Sequence, residues 1–252
     1  MTFWDNEMTM LLHILSLLQR ARRKVIRDGV RRLFSFDLLT ACRIDTRIPR
    51  EKIGSNYGGW IIPQGWLGEN SICYCLGVGE DITFDLGLIE RFGCDVYGFD
   101  PTPRAIAHVQ RVAANIQKYH FSAIGIWKEE TILKFYAPRN PGHVSHSVVN
   151  LQGTTEYFEA HCRRLSNIMR DNDHESLDLL KLDIEGAEYE VLNTLLTDRI
   201  RVKVLCVEYD EAFNPQSGDY KRRIRESVQR LSAAGFKLIA VDGIANMTFV
   251  CK

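Results

Sequence analysis

Two glycines and two acids stand together in Gly77-Val-Gly-Glu-Asp81, and a further acid, Asp100, follows about 20 residues on. Glycine lets a backbone turn lie against a ligand where a Cβ would intrude. An acid at the spacing of Asp100 can accept hydrogen bonds from both hydroxyls of a ribose, and Pro101 closes the segment beside it. A second group of acids, Asp183, Glu185 and Glu188, lies in LKLDIEGAE, and Glu208 with Asp210 lies in CVEYDE. Carboxylates can orient a hydroxyl, accept its proton, or hold a hard cation. A polar loop over residues 138–152 adds His143, Ser145, His146 and Ser147.

The surrounding patterns say how these residues are positioned. The apolar run 72–76 reads as a buried strand, 82–92 as a helix with apolar residues at helical spacing, and 95–99 as a second strand. A strand, a glycine turn, a helix, a strand and an acid make up the first half of a nucleotide-binding α/β domain. A helix is expected from 103 to about 118. Residues 121–127 read as a third strand, with Trp127 at its end and available to line an adenine pocket. Extra strands are expected over 131–136 and 154–162, and a short helix over 166–170. Strands over 177–182 and 202–207 then run directly into Asp183 and Glu208. In a parallel sheet, ligands bind beyond the carboxyl ends of the strands, so Asp100, Asp183 and Glu208 belong on one edge. Glu188, about one turn into the next helix, reads as a capping or salt-bridge residue. A helix over 218–234 and strands over 237–241 and 246–251 end the chain. The turn at Asp242-Gly243 makes those strands a hairpin, so one of them runs antiparallel.

The turn separates two cofactor classes. A dinucleotide site expects G-x-G-x-x-G, and the third glycine position here holds Ile82. Glu80 and Asp81 would repel a pyrophosphate at the helix start. They suit a ligand with a ribose, an ammonium group and no phosphate, such as S-adenosylmethionine. As purely structural residues, the same two acids would cap the helix and favour its dipole.

Net charge is zero, so no global field favours nucleic acid, and none is expected as a partner. Seven cysteines without a CxxC pair point to a reduced, cytoplasmic chain with neither disulfides nor a zinc site. Asp183 and Glu208 offer a divalent cation only two strand-end acids, so no metal is expected. Residues 1–55 read as a helical extension and connector, and 56–252 as the main domain. Seven basic residues and one acid fall between Arg20 and Arg32. This is expected to be a solvated face, with peripheral membrane contact through residues 8–34 as the sharper alternative. The stretch 8–18 is too short to span a bilayer. The connector's Tyr57-Gly-Gly-Trp60 and Pro63-Gln-Gly-Trp66 would serve either as a cover over the cofactor or as packed loops. Oligomeric state leaves no trace in the sequence.

CLGVGEDITFDLGLIERFGCDVYGFDPTP, LLKLDIEGAEYEVL and VLCVEYDE resemble the FkbM-type methyltransferases over roughly residues 60–251. The resemblance implies a class I methyltransferase fold: Rossmann-like α/β, with about seven mostly parallel strands and a C-terminal antiparallel hairpin. It implies S-adenosylmethionine as donor and O-methylation of a small-molecule hydroxyl, on a sugar or secondary metabolite. Gly77, Gly79, Glu80 and Asp81 would form the methionine-side turn, and Asp100 would hold the ribose. Asp183 and Glu185 would lie near the transferring methyl, with Asp183 the first candidate for base or orienter and Glu185, Glu208 and His146 behind it. The competing expectation is a methyltransferase-like binding module that uses its basic N-terminal helix without catalysis.

Overall fold

A computed structural model describes residues 44–140 and 142–251. The expected helix over 1–34 and its membrane contact lie outside the described residues. Among these, no helix is long and apolar enough to cross a membrane.

The centre is a seven-stranded sheet. It is built from β3 (Ile72–Leu76), β4 (Asp95–Phe99), β5 (Tyr119–Ser122), β9 (Ser176–Leu182), β10 (Arg201–Glu208), β11 (Lys237–Asp242) and β12 (Asn246–Val250). The spatial order is β11-β12-β10-β9-β3-β4-β5. All neighbouring pairs are parallel except those made by β12, which runs antiparallel to β10 and β11. The chain starts at β3 in the middle, builds outward through β4 and β5, and returns to build β9 and β10 on the other side. The order therefore reverses between β3 and β9, which opens a crevice at their carboxyl ends.

Alternation along the central strands sends side chains to two apolar layers. Tyr74 and Leu76 of β3 join Leu180 and Leu182 of β9 and Leu205 and Val207 of β10. That layer is covered by α3 (Leu165–Asp171), α4 (Glu188–Thr197) and α5 (Tyr220–Ala233). Cys73 and Cys75 face the other way with Leu179, Val204 and Cys206. There they meet α1 (Thr83–Phe92), α2 (Pro103–Val112) and the hairpin of β1 (Arg50–Ile53) and β2 (Trp60–Pro63). The described cysteines are all free, and the Cys73 thiol donates to the Cys94 sulfur at 3.8 Å without a disulfide between them.

Three elements differ from the sequence reading. The expected strand over 121–127 is two strands. β5 pairs with β4 and stops at Ser122; β6 (Gly125–Trp127) leaves the main sheet and joins β7 (Thr131–Tyr136) and β8 (Tyr157–Arg164) in the order β6-β8-β7. Gly125 permits this, because a Cβ there would lie 2.6 Å from the Cys162 sulfur. Helix α2 ends at Val112, not near 118, since residues 113–118 must turn the chain into β5. The expected strand over 154–162 starts and ends later, as β8. The connector also carries structure: Arg50–Ile53 pairs with Trp60–Pro63, and Arg50 Nη1 donates to the Ile239 carbonyl oxygen at 2.5 Å.

Leu180 is fully buried at the centre of the first layer. Leu180→Ala is expected to cost about 2–5 kcal/mol, because the strands around the void can relax only partly. Urea unfolding checks this.

Candidate active site

Four parallel strands end in one row. Leu76 of β3 pairs in register with Phe99 of β4 and with Leu182 of β9, and Leu182 pairs with Val207 of β10. The next residues along these strands are Gly77, Asp100, Asp183 and Glu208. The edge expected from the sequence therefore exists, and pairing register assembles it.

Gly77 has φ +78°, and a Cβ there would lie 1.6 Å from the Asp183 carbonyl oxygen. The turn after β3 thus leans directly on the turn after β9. Asp100 is buried, and its carboxylate holds the β3 turn. Oδ2 accepts from the backbone N–H groups of Val78 and Gly79 at 3.0 and 2.9 Å. Oδ1 accepts from the N–H and hydroxyl of Thr102 at 2.8 and 2.7 Å. These four donors take up the carboxylate's acceptor positions. Pro101 lies between the Asp100 and Thr102 ends of that clamp.

Glu80 and Asp81 have separate partners. Glu80 is exposed and forms an ion pair with Arg104, which also donates to the Gly142 and His143 carbonyl oxygens. Asp81 accepts from Ser55 Oγ at 2.6 Å and from the hydroxyl and N–H of Thr83 at 2.6 and 3.1 Å. Burial raises the Asp81 carboxyl, but the hydroxyls of Ser55 and Thr83 outweigh it and hold it below the usual range. Ser55 lies in the β1–β2 turn, so this contact brings that turn against the start of α1. At the tip, Tyr57 is 89% exposed, with its phenol within electrostatic reach of Asp183, Glu208, Glu185 and Asp81.

The second half of the site is an acidic wall. Asp183 and Glu185 follow β9, and Glu185 adopts a left-handed φ of +52°. Glu188 at the start of α4 is fully buried. Its Oε1 accepts from Gly186 N at 2.9 Å and Ile184 N at 3.3 Å, so it caps the loop before it. Glu208 and buried Asp210 complete the wall. Among the described residues the buried cation is Lys181, whose Nζ lies 3.0 Å from Asp183 Oδ2 and donates to the Gly77 carbonyl oxygen at 2.6 Å. Burial alone would lower its pKa, but Asp183 and Asp85 outweigh it and raise it. Burial, followed by the Asp183 charge, pushes the Glu185 carboxyl up to about 7. Burial also pushes Glu188 up to about 7, and it raises Glu208 and Asp210 well above the usual carboxylate range.

The polar loop lies across both turns. Ser147 Oγ donates to the Glu185 carbonyl oxygen at 2.6 Å, and Val144 faces Gly79. His146 directs Nδ1 to the Val144 carbonyl oxygen at 3.0 Å and packs edge-on against Phe158. Trp127 is half-buried on β6, outside the main sheet, with Lys128 Nζ 5.7 Å from its ring centre. Sequence reasoning missed Lys181, although a lone lysine within the buried run LDLLKL signals a paired charge. It also passed over Asp210 as a member of the wall, because Glu208 alone ends the strand.

Residues 73–238 match the family model described as the methyltransferase FkbM domain. The probable methyltransferase-like protein 24 of Homo sapiens is 27% identical over 128 residues, which is 50% of this chain and 28% of that protein. Its Rattus norvegicus counterpart is 28% identical over 127 residues, covering 50% and 29%. The aligned stretch thus spans under a third of these relatives. Among solved structures, methyltransferase FkbM from Methylobacillus flagellatus KT is similar at TM-score 0.46 and 11% identity, covering 73% of this chain and 44% of that one. Aeropyrum pernix fibrillarin, solved with natively bound S-adenosyl-L-methionine, is similar at TM-score 0.42 and 11% identity, covering 84% and 85%.

Gly65 provides a control for the contact at Gly77: its φ is +74°, but a Cβ there meets nothing within 4 Å. Gly65→Ala is expected to cost about 1–2 kcal/mol, the price of the left-handed backbone. Gly77→Ala is expected to cost clearly more, since Asp183 must also move. Paired urea melts of the two variants check the difference.

Proposed function

This chain belongs to the FkbM methyltransferase family, and on that premise we propose that it transfers a methyl group from S-adenosylmethionine to a hydroxyl of a small molecule. The observation that carries the choice of donor is the use of the backbone N–H groups at the β3 turn. A pyrophosphate cofactor needs such groups free at the glycine turn and helix start. Val78 and Gly79 give theirs to Asp100, and Thr83 gives its own to Asp81. A donor without phosphate loses nothing by this. Its ammonium is drawn to Glu80 and Asp81, and its ribose lies beside Asp100 and Pro101. Because Asp100 already serves four donors, its first role is to hold the turn in shape, and the ribose shares what the clamp releases. The adenine lies towards Trp127 and the end of β5.

The acceptor enters from the side of β9 and β10, where the wall of acids repels phosphorylated and carboxylated compounds. Neutral polyhydroxyl compounds, such as sugars or hydroxylated secondary metabolites, fit that field. Transfer is an in-line displacement: the acceptor oxygen attacks the methyl carbon, the carbon–sulfur bond breaks with its electron pair going to sulfur, and the hydroxyl proton passes to a carboxylate of the wall, Asp183 first. Alignment of oxygen, carbon and sulfur supplies several kcal/mol. Asp183 is the orienting carboxylate, because it stands at the strand end next to the turn that holds the donor. Glu185 and Glu208 flank it. His146, turned to Val144 and Phe158, is a loop-packing residue in this arrangement.

Calorimetric titration with S-adenosylhomocysteine, with NADH as control, tests the donor. Micromolar binding of the first, none of the second and sharp weakening in Asp100→Asn are expected; failure of the folded wild type to bind S-adenosylhomocysteine overturns the reading. Asp183→Asn is expected to bind the same ligand normally while turnover of an identified acceptor falls about 10²–10⁴-fold.

A further inference from the structure

Buried acids in this chain are normally matched by donors. Asp100 has its four. Asp85, beneath the site, accepts from the Tyr119 hydroxyl at 2.9 Å. Glu211 accepts from the Tyr189 hydroxyl at 3.1 Å and from Arg223. The residue immediately before Glu211 breaks the pattern. Asp210 is only 5% exposed, and its Oδ2 has no hydrogen-bond partner among the described residues. Glu188 is fully buried, and its Oε2 is in the same position. A buried carboxylate oxygen without a donor costs several kcal/mol unless something else neutralises it.

The residue that carries this orphaned oxygen, Asp210, belongs to a convergent set. One carboxylate oxygen each from Asp183, Glu185 and Asp210 lie within 4.8 Å of one another. Oxygens sharing one Mg²⁺, Mn²⁺ or Ca²⁺ at about 2.1–2.4 Å stand at most about 4.2–4.8 Å apart. The set contains oxygen alone, with neither sulfur nor imidazole, which selects hard cations over zinc or copper. Five carboxylates meet here: Asp183, Glu185, Glu188, Glu208 and Asp210. The ammonium of Lys181 is engaged with one of them and with Gly77.

We propose that Asp183, Glu185 and Asp210 form a binding site for one hard divalent cation, Mg²⁺ or Mn²⁺, with Glu188 and Glu208 as the surrounding acids that raise its affinity. The ligands come from two loops, the turn after β9 and the segment after β10. The ion therefore also ties the carboxyl ends of these two strands together. Lys181 keeps its hold on Asp183 Oδ2, which leaves the other oxygen of that carboxylate to the ion. Three protein ligands leave open positions for water and for an acceptor oxygen. Ion binding stands without the methyl-transfer reading. Only the last step, an acceptor hydroxyl made more acidic on the ion, rests on it.

The test uses the full chain, stripped of metal with a chelator and passed into chelator-free buffer. Titration with Mn²⁺, followed by loss of the free-ion electron paramagnetic resonance signal, is expected to show one site per chain that Mg²⁺ competes for. Asp210→Asn and Glu185→Gln are each expected to weaken it roughly tenfold or more. Exposed Glu226→Gln is expected to leave it unchanged. Both wall substitutions thin a crowded cluster of acids, so the metal-free variants should melt no lower than the metal-free wild type. Glu185, the less buried of the two, serves if Asp210→Asn fails to fold. The absence of saturable Mn²⁺ binding to folded wild type up to about 1 mM, or undiminished binding in the folded wall variants, overturns the proposal. Mn²⁺ binding without S-adenosylhomocysteine binding would keep the metal site and remove the methyl-transfer reading; the reverse would keep the enzyme and remove the ion.

Discussion

The ammonium of Lys181 lies inside the sheet, where it donates to the Gly77 carbonyl oxygen and pairs with Asp183. A buried charge is tolerable only when paired and hydrogen-bonded. Here the partners belong to different strands: Gly77 ends β3, and Asp183 ends β9. The contact therefore fixes the two sides of the crevice against each other. The bare Cα of Gly77 allows the approach, and the Asp183 backbone is the surface approached. If either strand shifted, the lysine would lose a partner in a place where water cannot replace it. The turn on one side and the acids on the other are thus held by one electrostatic requirement.

On each side of that contact, backbone donors and acids are used differently. On the β3 side the acids are satisfied internally: Asp100 gathers the turn, Asp81 binds Ser55 and Thr83, and Glu80 pairs with Arg104. This half is preorganised, and its backbone offers little to a phosphate. On the β9 and β10 side the acids outnumber their donors, and two oxygens are buried without any among the described residues. This half is electrostatically incomplete, and incompleteness at a strand-end crevice is characteristic of a place where a ligand supplies the missing charge. The loop over residues 142–152 spans both halves, tied to Glu185 through Ser147 and facing Gly79 through Val144. The β1–β2 turn closes the remaining side through Ser55. The walls around the crevice are therefore built from segments outside the central sheet, while the sheet carries the glycine turn and the strand-end acids.

Much of this was legible in the chain. The runs ICYCL, DVYGF and LDLLKLD are apolar strands that end directly in glycine or acid. A parallel sheet makes strand ends converge, so Gly77, Asp100, Asp183 and Glu208 could be placed on one edge from the sequence alone. What Asp100 does there was not legible. Its spacing is the same whether it faces a ribose or holds Val78, Gly79 and Thr102, and only three-dimensional proximity distinguishes the two. Phe121 to Trp127 was misread for a similar reason. Both halves are apolar, and nothing local says that β5 ends when its pairing with β4 runs out or that Gly125 opens room for Cys162 and Phe135. The partners of β6 are more than 30 residues further along the chain.

Local pattern determined which segments are strands and helices, where the chain turns, and which acids follow a strand, because periodicity and turn chemistry depend only on near neighbours. The tertiary structure alone decided which acids are satisfied and which are not. Glu211 and Asp210 are adjacent and chemically alike. One meets Arg223 and Tyr189 from two different helices, and the other presents an oxygen to no donor among the described residues. Charge compensation depends on distance through space, and distance through space is set by packing rather than by position in the chain.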